Sequence, residues 1–163
     1  MVMRAGVITM SDRRSRGEGE DLSGREIVRM LESIDAVVEH IMIIPDEMDQ
    51  IREALIDCAD RLKLDIIVTT GGTGVSPRDV TPDVTREVIE RELPGMAEAM
   101  RREGASITPY AMISRAIVGI RGLSLIVNLP GSPKGVRENL SVILPALAHT
   151  IEKIKGDQTE CAS

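Results

Sequence analysis

Two kinds of hydrophobic pattern alternate along the chain. Short runs that are almost entirely apolar, such as LDIIVTT at 64–70, are typical of β-strands covered on both faces. Between these runs, apolar residues recur at every third or fourth position, as on one face of an amphipathic helix. The alternation predicts strands at 5–10, 37–44, 64–70 and 122–129, and helices that begin at 23, cover 46–62, 81–92 and 96–103, and begin again at 133.

Strands that alternate with helices predict an α/β fold. Because right-handed crossovers place helices on both sides of a parallel sheet, we expect a three-layer sandwich with a mostly parallel central sheet and helices on both faces. Residues 1–156 are predicted to form one domain, and 157–163 a polar C-terminal tail.

Local signals predict where several helices begin or break. Ser23 and Glu26 have the spacing of a capping box, in which the serine side chain caps the helix that follows. Thr81 is expected to cap the third helix, with Pro82 at its first position. Pro145 is expected to kink or split the last helix.

Four loops follow the predicted strands and are rich in Gly, Pro, Ser and Asp. They lie at 11–12, 45–46, 71–79 and 130–134. In a parallel sheet the carboxyl ends of the strands meet at one edge, and ligands bind in the crevice beyond them. We therefore expect the four loops to form one site.

Composition and charge exclude several classes of function. The 163 residues include one Tyr and no Phe or Trp, which argues against a protein that stacks bases on aromatic side chains. The net charge of −6 argues against general nucleic-acid binding. No apolar run approaches the length of a membrane span, and the first strand begins too early to leave room for a signal peptide. With only two Cys and no CxxC motif, we expect a cytoplasmic protein.

The glycine cluster at 71–74 favours two readings equally. Glycine allows the backbone to approach a phosphate closely, and Arg78 could add a guanidinium. The same cluster could be a sharp strand-to-helix turn in which glycine is needed for its positive φ. The segment is neither a Walker A motif nor a dinucleotide-binding fingerprint.

Carboxylates also recur beyond the strands, at Asp12, Asp46 and Asp79. Together beside a phosphate they would suit Mg²⁺ held jointly by protein and phosphates, although each alone could be a cap or a turn residue. The loop from Asn128 to Lys134 offers backbone donors, a hydroxyl and an ammonium, or else a helix cap followed by proline. No catalytic His or Cys arrangement is present.

Several segments match a known family in order along the chain. TTGGTG at 69–74 followed by RDVTPD at 78–83 resembles the signature of the molybdenum-cofactor biosynthesis domain, shared by Mog and MoaB proteins and the G domains of gephyrin. Other matching segments are Ser11-Asp12, Asp21 with Ser23-Gly24, IPDE at 44–47, PGMAE at 94–98, Ser114-Arg115 and NLPGSP at 128–133.

This resemblance implies a Mg²⁺-dependent transfer of AMP from ATP to the terminal phosphate of molybdopterin, with release of pyrophosphate. The two essential aspartates of the family fall on Asp46 and Asp79, as catalytic residues and Mg²⁺ ligands. The implied nucleotide-binding residues are Ser11, Asp12, Gly71, Gly72, Thr73, Gly74, Arg78 and Glu98. The implied molybdopterin-binding residues are Ser114, Arg115, Asn128, Pro130, Gly131, Ser132, Pro133 and Lys134.

The resemblance also implies a homotrimer and a molybdenum-insertion protein as a partner, with neither nucleic acid nor membrane involved. Two other functions remain open. One is a non-catalytic molybdopterin-binding or scaffold protein, which would not need both aspartates. The other is a dinucleotide pyrophosphate hydrolase of the competence-damage type, which would act without molybdopterin.

Overall fold

In a computed structural model that describes residues 1–159, a six-stranded β-sheet lies at the centre of the fold. Its strands are β1 (Met3–Met10), β2 (Ala36–Ile44), β3 (Ile66–Thr70), β4 (Arg91–Glu92), β5 (Val118–Arg121) and β6 (Ser124–Leu129). The helices are α1 (Asp12–Ser15), α2 (Leu22–Glu32), α3 (Met48–Ile56), α4 (Thr81–Val88), α5 (Pro94–Ile107) and α6 (Pro133–Ile154). Residues 160–163, which include the end of the predicted tail, lie outside the described part.

The strands lie in the order β2-β1-β3-β6-β5-β4, and the first four run parallel. β5 returns antiparallel to β6, and the short β4 pairs antiparallel with β5. Helices α2, α5 and α6 pack on one face of the sheet, and α3 and α4 on the other. The predicted three-layer α/β sandwich with a mostly parallel sheet is therefore confirmed.

The core on both faces is aliphatic, as the composition requires. Along β3, Ile66 and Val68 point into the core beneath α2, α5 and α6, whereas Ile67 points into the core beneath α3 and α4. All three side chains are fully buried. A strand buried on both faces needs no polar alternation, which is why this segment is apolar throughout.

Some predicted helix boundaries are wrong, and each has a local cause. Asp21 caps α2, because its carboxylate accepts from the Gly24 N–H (3.0 Å). The Ser23 hydroxyl instead donates to the Gly131 carbonyl (2.6 Å), so no capping box forms. Pro145 lies inside α6 without splitting it.

The other differences lie between β3 and β6, and around α3. Helix α4 ends at Val88 because β4 joins the sheet edge directly after it, and the cap position is Val80, not Thr81. Helix α5 extends to Ile107, and β5 was not predicted. The helix predicted at 46–62 consists of α3 followed by a π-helical turn at Asp57–Arg61.

Among residues 1–159 no helix is both long and apolar enough to cross a membrane.

A buried amide on β6 joins four parts of the fold. Asn128 is fully buried, and its Nδ2 donates to the hydroxyls of Thr69 on β3 (3.1 Å) and Thr85 on α4 (3.0 Å). Its Oδ1 accepts from the Ile117 N–H (3.1 Å), next to β5. Every polar group of this side chain is thus paired, as burial demands.

We expect Asn128→Ala to lower the free energy of unfolding by about 2–4 kcal/mol, because it leaves a cavity and three polar groups without this partner. Urea denaturation measures the loss. Asn139→Ala is the matched control, since Asn139 donates a single bond, to the Gly135 carbonyl, from the partly buried face of α6. An equal and small loss in both variants would contradict the structural role of Asn128.

Candidate active site

The carboxyl ends of the parallel strands are joined directly to one another. The Ser11 N–H after β1 donates to the Ile44 carbonyl of β2 (2.9 Å), and the Gly71 N–H after β3 donates to the Leu129 carbonyl of β6 (3.1 Å). The Thr70 hydroxyl also donates to the Pro130 carbonyl (2.6 Å). The four predicted loops therefore meet at one edge, at the point between β1 and β3 where strand order reverses and α/β sheets bind ligands.

The glycine turn after β3 requires glycine at two positions, Gly71 and Gly72, because both have positive φ and closely packed neighbours. Gly71 has φ +97°, and a Cβ there would lie 2.2 Å from the Met10 carbonyl oxygen. Gly72 has φ +66°, and a Cβ there would lie 2.5 Å from the Thr81 hydroxyl and 3.0 Å from Asp46 Oδ1. The first glycine lets two strand ends meet, and the second lets the chain pass closely over Asp46.

Asp46 and Asp12 hold each other across two loops. The Asp12 N–H donates to Asp46 Oδ2 (3.1 Å), and the Asp46 N–H donates to Asp12 Oδ1 (3.0 Å). The other oxygen of Asp46, Oδ1, is buried and has no hydrogen-bond partner within the described part of the chain. Asp46 is not a helix cap either, since α3 begins at Met48 after Glu47.

The surroundings of these two carboxylates shift their pKa values in opposite directions. Burial raises the pKa of Asp46, and the nearby charges of Asp12 and Asp79 add to that effect, against the opposing influence of the Asp12 N–H and of Arg78. The Arg78 guanidinium lowers the pKa of Asp12, and the bond from the Asp46 N–H adds to it. Asp46 is therefore the carboxylate that lacks compensation, and a bound cation would supply it.

Asp79 ends the loop that follows the glycine turn. Its Oδ2 accepts from the Ser76 N–H (3.0 Å), and its own N–H donates to the Ser76 carbonyl (2.9 Å). A Cβ on Gly74 would lie 2.9 Å from Asp79 Oδ2, so the loop closes tightly around this carboxylate.

The donor set fits Mg²⁺ shared with phosphates. Within residues 1–159 no cluster of three or more His, Cys, Asp or Glu side chains could hold a metal alone. Asp46, whose Oδ1 has no hydrogen-bond partner within residues 1–159, and Asp79 line the same cleft. Asp21 lines it too, but its carboxylate accepts from Thr9 and Gly24. Mg²⁺ commonly binds one or two carboxylates and completes its coordination with substrate phosphates and water.

Arg78, predicted as a phosphate contact, forms ion pairs with two carboxylates. Its guanidinium forks onto Asp12 (2.9 and 3.1 Å) and also reaches Glu47 (2.8 Å). The side chain is half exposed but does not line the cleft that contains Asp46. Arg78 thus joins the loops after β1, β2 and β3 and neutralises Asp12.

Two clefts open at this edge of the sheet. The first has a volume of about 310 Å³ and contains both aspartates. It is lined by Thr9, Met10, Ser11, Arg13, Arg14, Asp21, Leu22, Ser23, Asp46, Thr70, Gly71, Gly72, Asp79, Gly131 and Pro133. Carboxylates, arginines and hydroxyls together suit a ligand that carries phosphates and a metal ion.

The second cleft, of about 290 Å³, lies beside the first. It is lined by Thr73, Gly74, Arg101, Gly104, Thr108, Tyr110, Ala111, Ile113, Ser114, Pro130, Ser132, Gly135, Glu138 and Asn139. Each of the two loops contributes to both clefts: Gly71, Gly72, Gly131 and Pro133 line the first, and Thr73, Gly74, Pro130 and Ser132 line the second. The two loops therefore form a wall that both clefts share.

Several residues implied as ligand contacts lie elsewhere. Asn128 is fully buried with its amide groups paired, so it has no surface to offer molybdopterin. Arg115 lines neither cleft and bonds to the loop that carries Asp79. Glu98 is exposed on α5, and Lys134, 74% exposed, pairs with Glu138 at 3.7 Å; neither lines a cleft.

The first cleft also has residues that the sequence patterns missed. Arg13 and Arg14 enter it from α1, a single helical turn capped by the Ser11 hydroxyl, which accepts from the Arg14 N–H (3.2 Å). The sequence did contain a signal for them, since two arginines follow Ser11-Asp12 directly after the first strand. It was obscured because the polar segment that contains it has no hydrophobic periodicity.

Comparison with known proteins agrees with this geometry. A molybdopterin adenylyltransferase of Helicobacter pylori is 43% identical over 154 residues, which cover 93% of this chain and 88% of that protein. Gephyrin of Dictyostelium discoideum is also 43% identical, over 162 residues, although the chain spans only 22% of that protein. The crystal structure of the molybdopterin biosynthesis enzyme MoaB from Thermus thermophilus superposes with a TM-score of 0.90 at 46% identity, over 96% of this chain and 98% of that one. The family model for a probable molybdopterin binding domain matches residues 6–149, and the chain therefore belongs to this family.

Proposed function

We propose that the protein is a molybdopterin adenylyltransferase, which transfers AMP from ATP to the terminal phosphate of molybdopterin. The single observation that carries the proposal is the buried Asp46 Oδ1, which has no hydrogen-bond partner among residues 1–159 and lies in a cleft with Asp79, beside a second cleft. A buried carboxylate without a compensating partner lowers the stability of the folded protein. Such a cost is understandable at a functional site, where a bound cation would compensate the charge. The relatives named molybdopterin adenylyltransferase support the same activity.

In this proposal the triphosphate lies in the first cleft and the pterin in the second. Arg13 and Arg14 supply positive charge to the phosphates from α1. The second cleft offers Tyr110, Ala111 and Ile113 to a flat ring system. The Gly71 N–H is engaged with Leu129, so the phosphate contacts of the turn begin at Gly72.

The reaction needs alignment more than acid–base chemistry. An oxygen of the terminal molybdopterin phosphate attacks the α-phosphorus of ATP, the bond to the bridging oxygen of the β-phosphate breaks, and pyrophosphate leaves with that electron pair. Mg²⁺ held by Asp46 and Asp79 would neutralise phosphate charge during this step. The shared wall of the clefts brings the two phosphates together, and proximity of this kind lowers the barrier without a catalytic base.

Other features of the proposal rest on the resemblance. We infer that the enzyme works as a homotrimer in the cytoplasm and passes its product to a molybdenum-insertion protein. A non-catalytic scaffold has no use for the uncompensated charge of Asp46. A dinucleotide pyrophosphate hydrolase would act without a pterin.

Incubation of the purified protein with molybdopterin, ATP and Mg²⁺ tests the function directly. Mass spectrometry should detect adenylylated molybdopterin, together with pyrophosphate. A parallel incubation with ADP-ribose and Mg²⁺ should release no AMP. Hydrolysis of ADP-ribose without formation of the pterin product would favour the hydrolase instead.

We expect Asp46→Asn and Asp79→Asn each to lower the rate of product formation by about 100-fold or more, because each loses a charged metal ligand. Asp49→Asn is the control, since its side chain is 97% exposed on α3. Circular dichroism should show that all three variants are folded. Turnover close to that of the unsubstituted protein, with unchanged Mg²⁺ dependence, would refute the roles of the two aspartates.

Asp46→Asn should also stabilise the protein when Mg²⁺ is absent. Because the pKa of Asp46 is raised in the folded state, the charged form is destabilised there, and stability is gained as pH falls through that pKa. At pH 7 the neutral Asn should raise the free energy of unfolding by about 0.5–1 kcal/mol. The gain should shrink at acidic pH, where Asp46 is protonated as well. Denaturation with EDTA at several pH values measures this, and a loss of stability at pH 7 would contradict it.

Gly72→Ala should impair nucleotide binding by more than its loss of stability explains. The added Cβ is strained at φ +66° and lies against Thr81 and Asp46. Gly122→Ala is the control, since Gly122 has φ +56° and, its chain neighbours aside, no atom of residues 1–159 lies within 4 Å of an added Cβ. Gly122→Ala should lose about 1 kcal/mol of stability, and Gly72→Ala should lose more because its Cβ also meets the buried Thr81 hydroxyl. Only Gly72→Ala should weaken Mg²⁺-ATP binding in calorimetry. If both bind Mg²⁺-ATP equally well, the turn is only a connector.

A further inference from the structure

The middle of the loop that carries Asp79 is exposed from Val75 to Arg78, whereas Thr73 is buried and Val80 packs against the core. We refer to residues 73–80 as the aspartate loop. Val75 within it is 64% exposed, and the internal bonds given above join only Ser76 and Asp79. A carboxylate at the end of a loop of this kind needs an external attachment to keep its position.

Arg78, the residue before Asp79, ties the loop to Asp12 and Glu47 by ion pairs. A second attachment comes from one residue outside the loop, Arg115, which bonds to both ends of it. The Arg115 N–H donates to the Thr73 carbonyl (2.8 Å), and Arg115 Nε donates to the Gly74 carbonyl (2.8 Å). Arg115 Nη2 donates to the carbonyl of Asp79 itself. A single arginine therefore bonds to the first two residues of the loop and to its catalytic aspartate.

A second carboxylate fixes the direction of this guanidinium. Asp83, in the first turn of α4, accepts from Arg115 Nη1 and Nη2 at 3.0 Å each. Forked pairing of this kind restricts the guanidinium plane more than a single bond would. The same pairing lowers the pKa of Asp83. Neither residue lines either cleft, so the pair reaches the site only through the backbone of the aspartate loop.

We propose that Arg115 is a positioning residue that clamps the aspartate loop, with Asp83 as the group that orients it. The clamp holds Asp79 at the position where it faces Asp46. This proposal rests on the proposed function for the role of Asp79, but the clamp itself is a property of the loop. Arg115 accordingly acts on metal-dependent nucleotide binding and not on contact with molybdopterin, the role that the resemblance implied.

Hydrogen–deuterium exchange of the full-length protein tests the clamp without any ligand. In Arg115→Ala, peptides covering 73–80 should exchange about tenfold faster, as expected for the loss of hydrogen bonds from a charged donor. Asp83→Ala should give a smaller increase in the same peptides, and the double variant should equal Arg115→Ala, because the two residues act as a unit. Arg115→Lys should not restore the slow rate, since an ammonium lacks the forked donors.

Arg121→Ala is the matched control. Arg121 also forks onto a carboxylate, Asp60 (2.8 and 3.0 Å), and also donates to a backbone carbonyl, that of Val88 (2.9 Å). It lies at the hairpin between β5 and β6, at the opposite edge of the sheet from the clefts. Its removal should leave exchange of 73–80 unchanged.

The second readout separates a clamp from a ligand contact. With an ATP analogue that cannot be cleaved between its α and β phosphates, the Mg²⁺ concentration for half-maximal binding should rise about tenfold or more in Arg115→Ala. It should rise in Asp83→Ala as well and stay unchanged in Arg121→Ala. The KM for molybdopterin should change by less than the Mg²⁺ requirement.

Two results would overturn the clamp. One is exchange of 73–80 in Arg115→Ala at the rate of the unsubstituted protein. The other is a raised KM for molybdopterin with an unchanged Mg²⁺ requirement, which would make Arg115 a ligand contact. If the unsubstituted protein forms no adenylylated product yet shows the same exchange difference on substitution, the clamp is supported and the proposed function fails.

Discussion

The paired amide of Asn128 is the interaction on which the site depends. Its Nδ2 bonds to Thr85, whose hydroxyl donates to the Thr81 carbonyl (2.8 Å), and the Thr81 hydroxyl donates to the Gly71 carbonyl (3.1 Å). A continuous series of buried bonds therefore runs from the centre of the sheet to the glycine turn. Because an unpaired polar group in this interior would be costly, each bond fixes the next. The position of α4, and with it the turn above Asp46, follows from that requirement.

One buried atom of the site, Asp46 Oδ1, lowers the stability of the fold. Most buried polar side chains here are paired, whereas Asp46 Oδ1 has no partner within residues 1–159. Arg78 neutralises the neighbouring Asp12, and the backbone N–H of each aspartate donates to the carboxylate of the other. A fold selected only for stability would neutralise Asp46 as well. The exception at the Asp46 carboxylate, in a cleft that also contains Asp79, is what distinguishes a site from a set of turns.

Much of the architecture could be predicted because hydrophobic period and strand order are local or topological consequences of the sequence. The run at 64–70 and the glycines at 71 and 72 led to the correct strand, turn and sheet edge. The roles of Asn128 and Arg115 could not be predicted in the same way. Both lie in segments that match the family signature, and a motif gives a residue's position in the chain but not the direction of its side chain. Their bonds to Thr85 and Asp83 join residues more than 30 positions away.

The weak elements were missed for a different reason. β4 and β5 have two and four residues, too few to establish a period, and they form because each completes the hydrogen bonding of its neighbour at the edge of the sheet. Asp21 displaced Ser23 as the cap of α2 because the Ser23 hydroxyl has an acceptor, the Gly131 carbonyl, 108 positions away. The local sequence pattern predicted only Ser23 as the cap, and the tertiary contact of its hydroxyl leaves that role to Asp21.

The wall between the two clefts explains how a small domain could bring two large substrates into reaction. Along this wall, neighbouring residues contribute to opposite clefts: Gly72 faces the first and Thr73 the second, and Gly131 faces the first and Ser132 the second. Ser132 is also the cap of α6, since its hydroxyl accepts from the Gly135 N–H (3.0 Å). A hydrogen bond thus holds each loop in place: the Thr81 hydroxyl bonds to the glycine turn, and the start of α6 bonds to Ser132. In the proposed reaction, two loops that each face both clefts would set the distance between the bound phosphates, which is the requirement of a reaction whose nucleophile is already an anion.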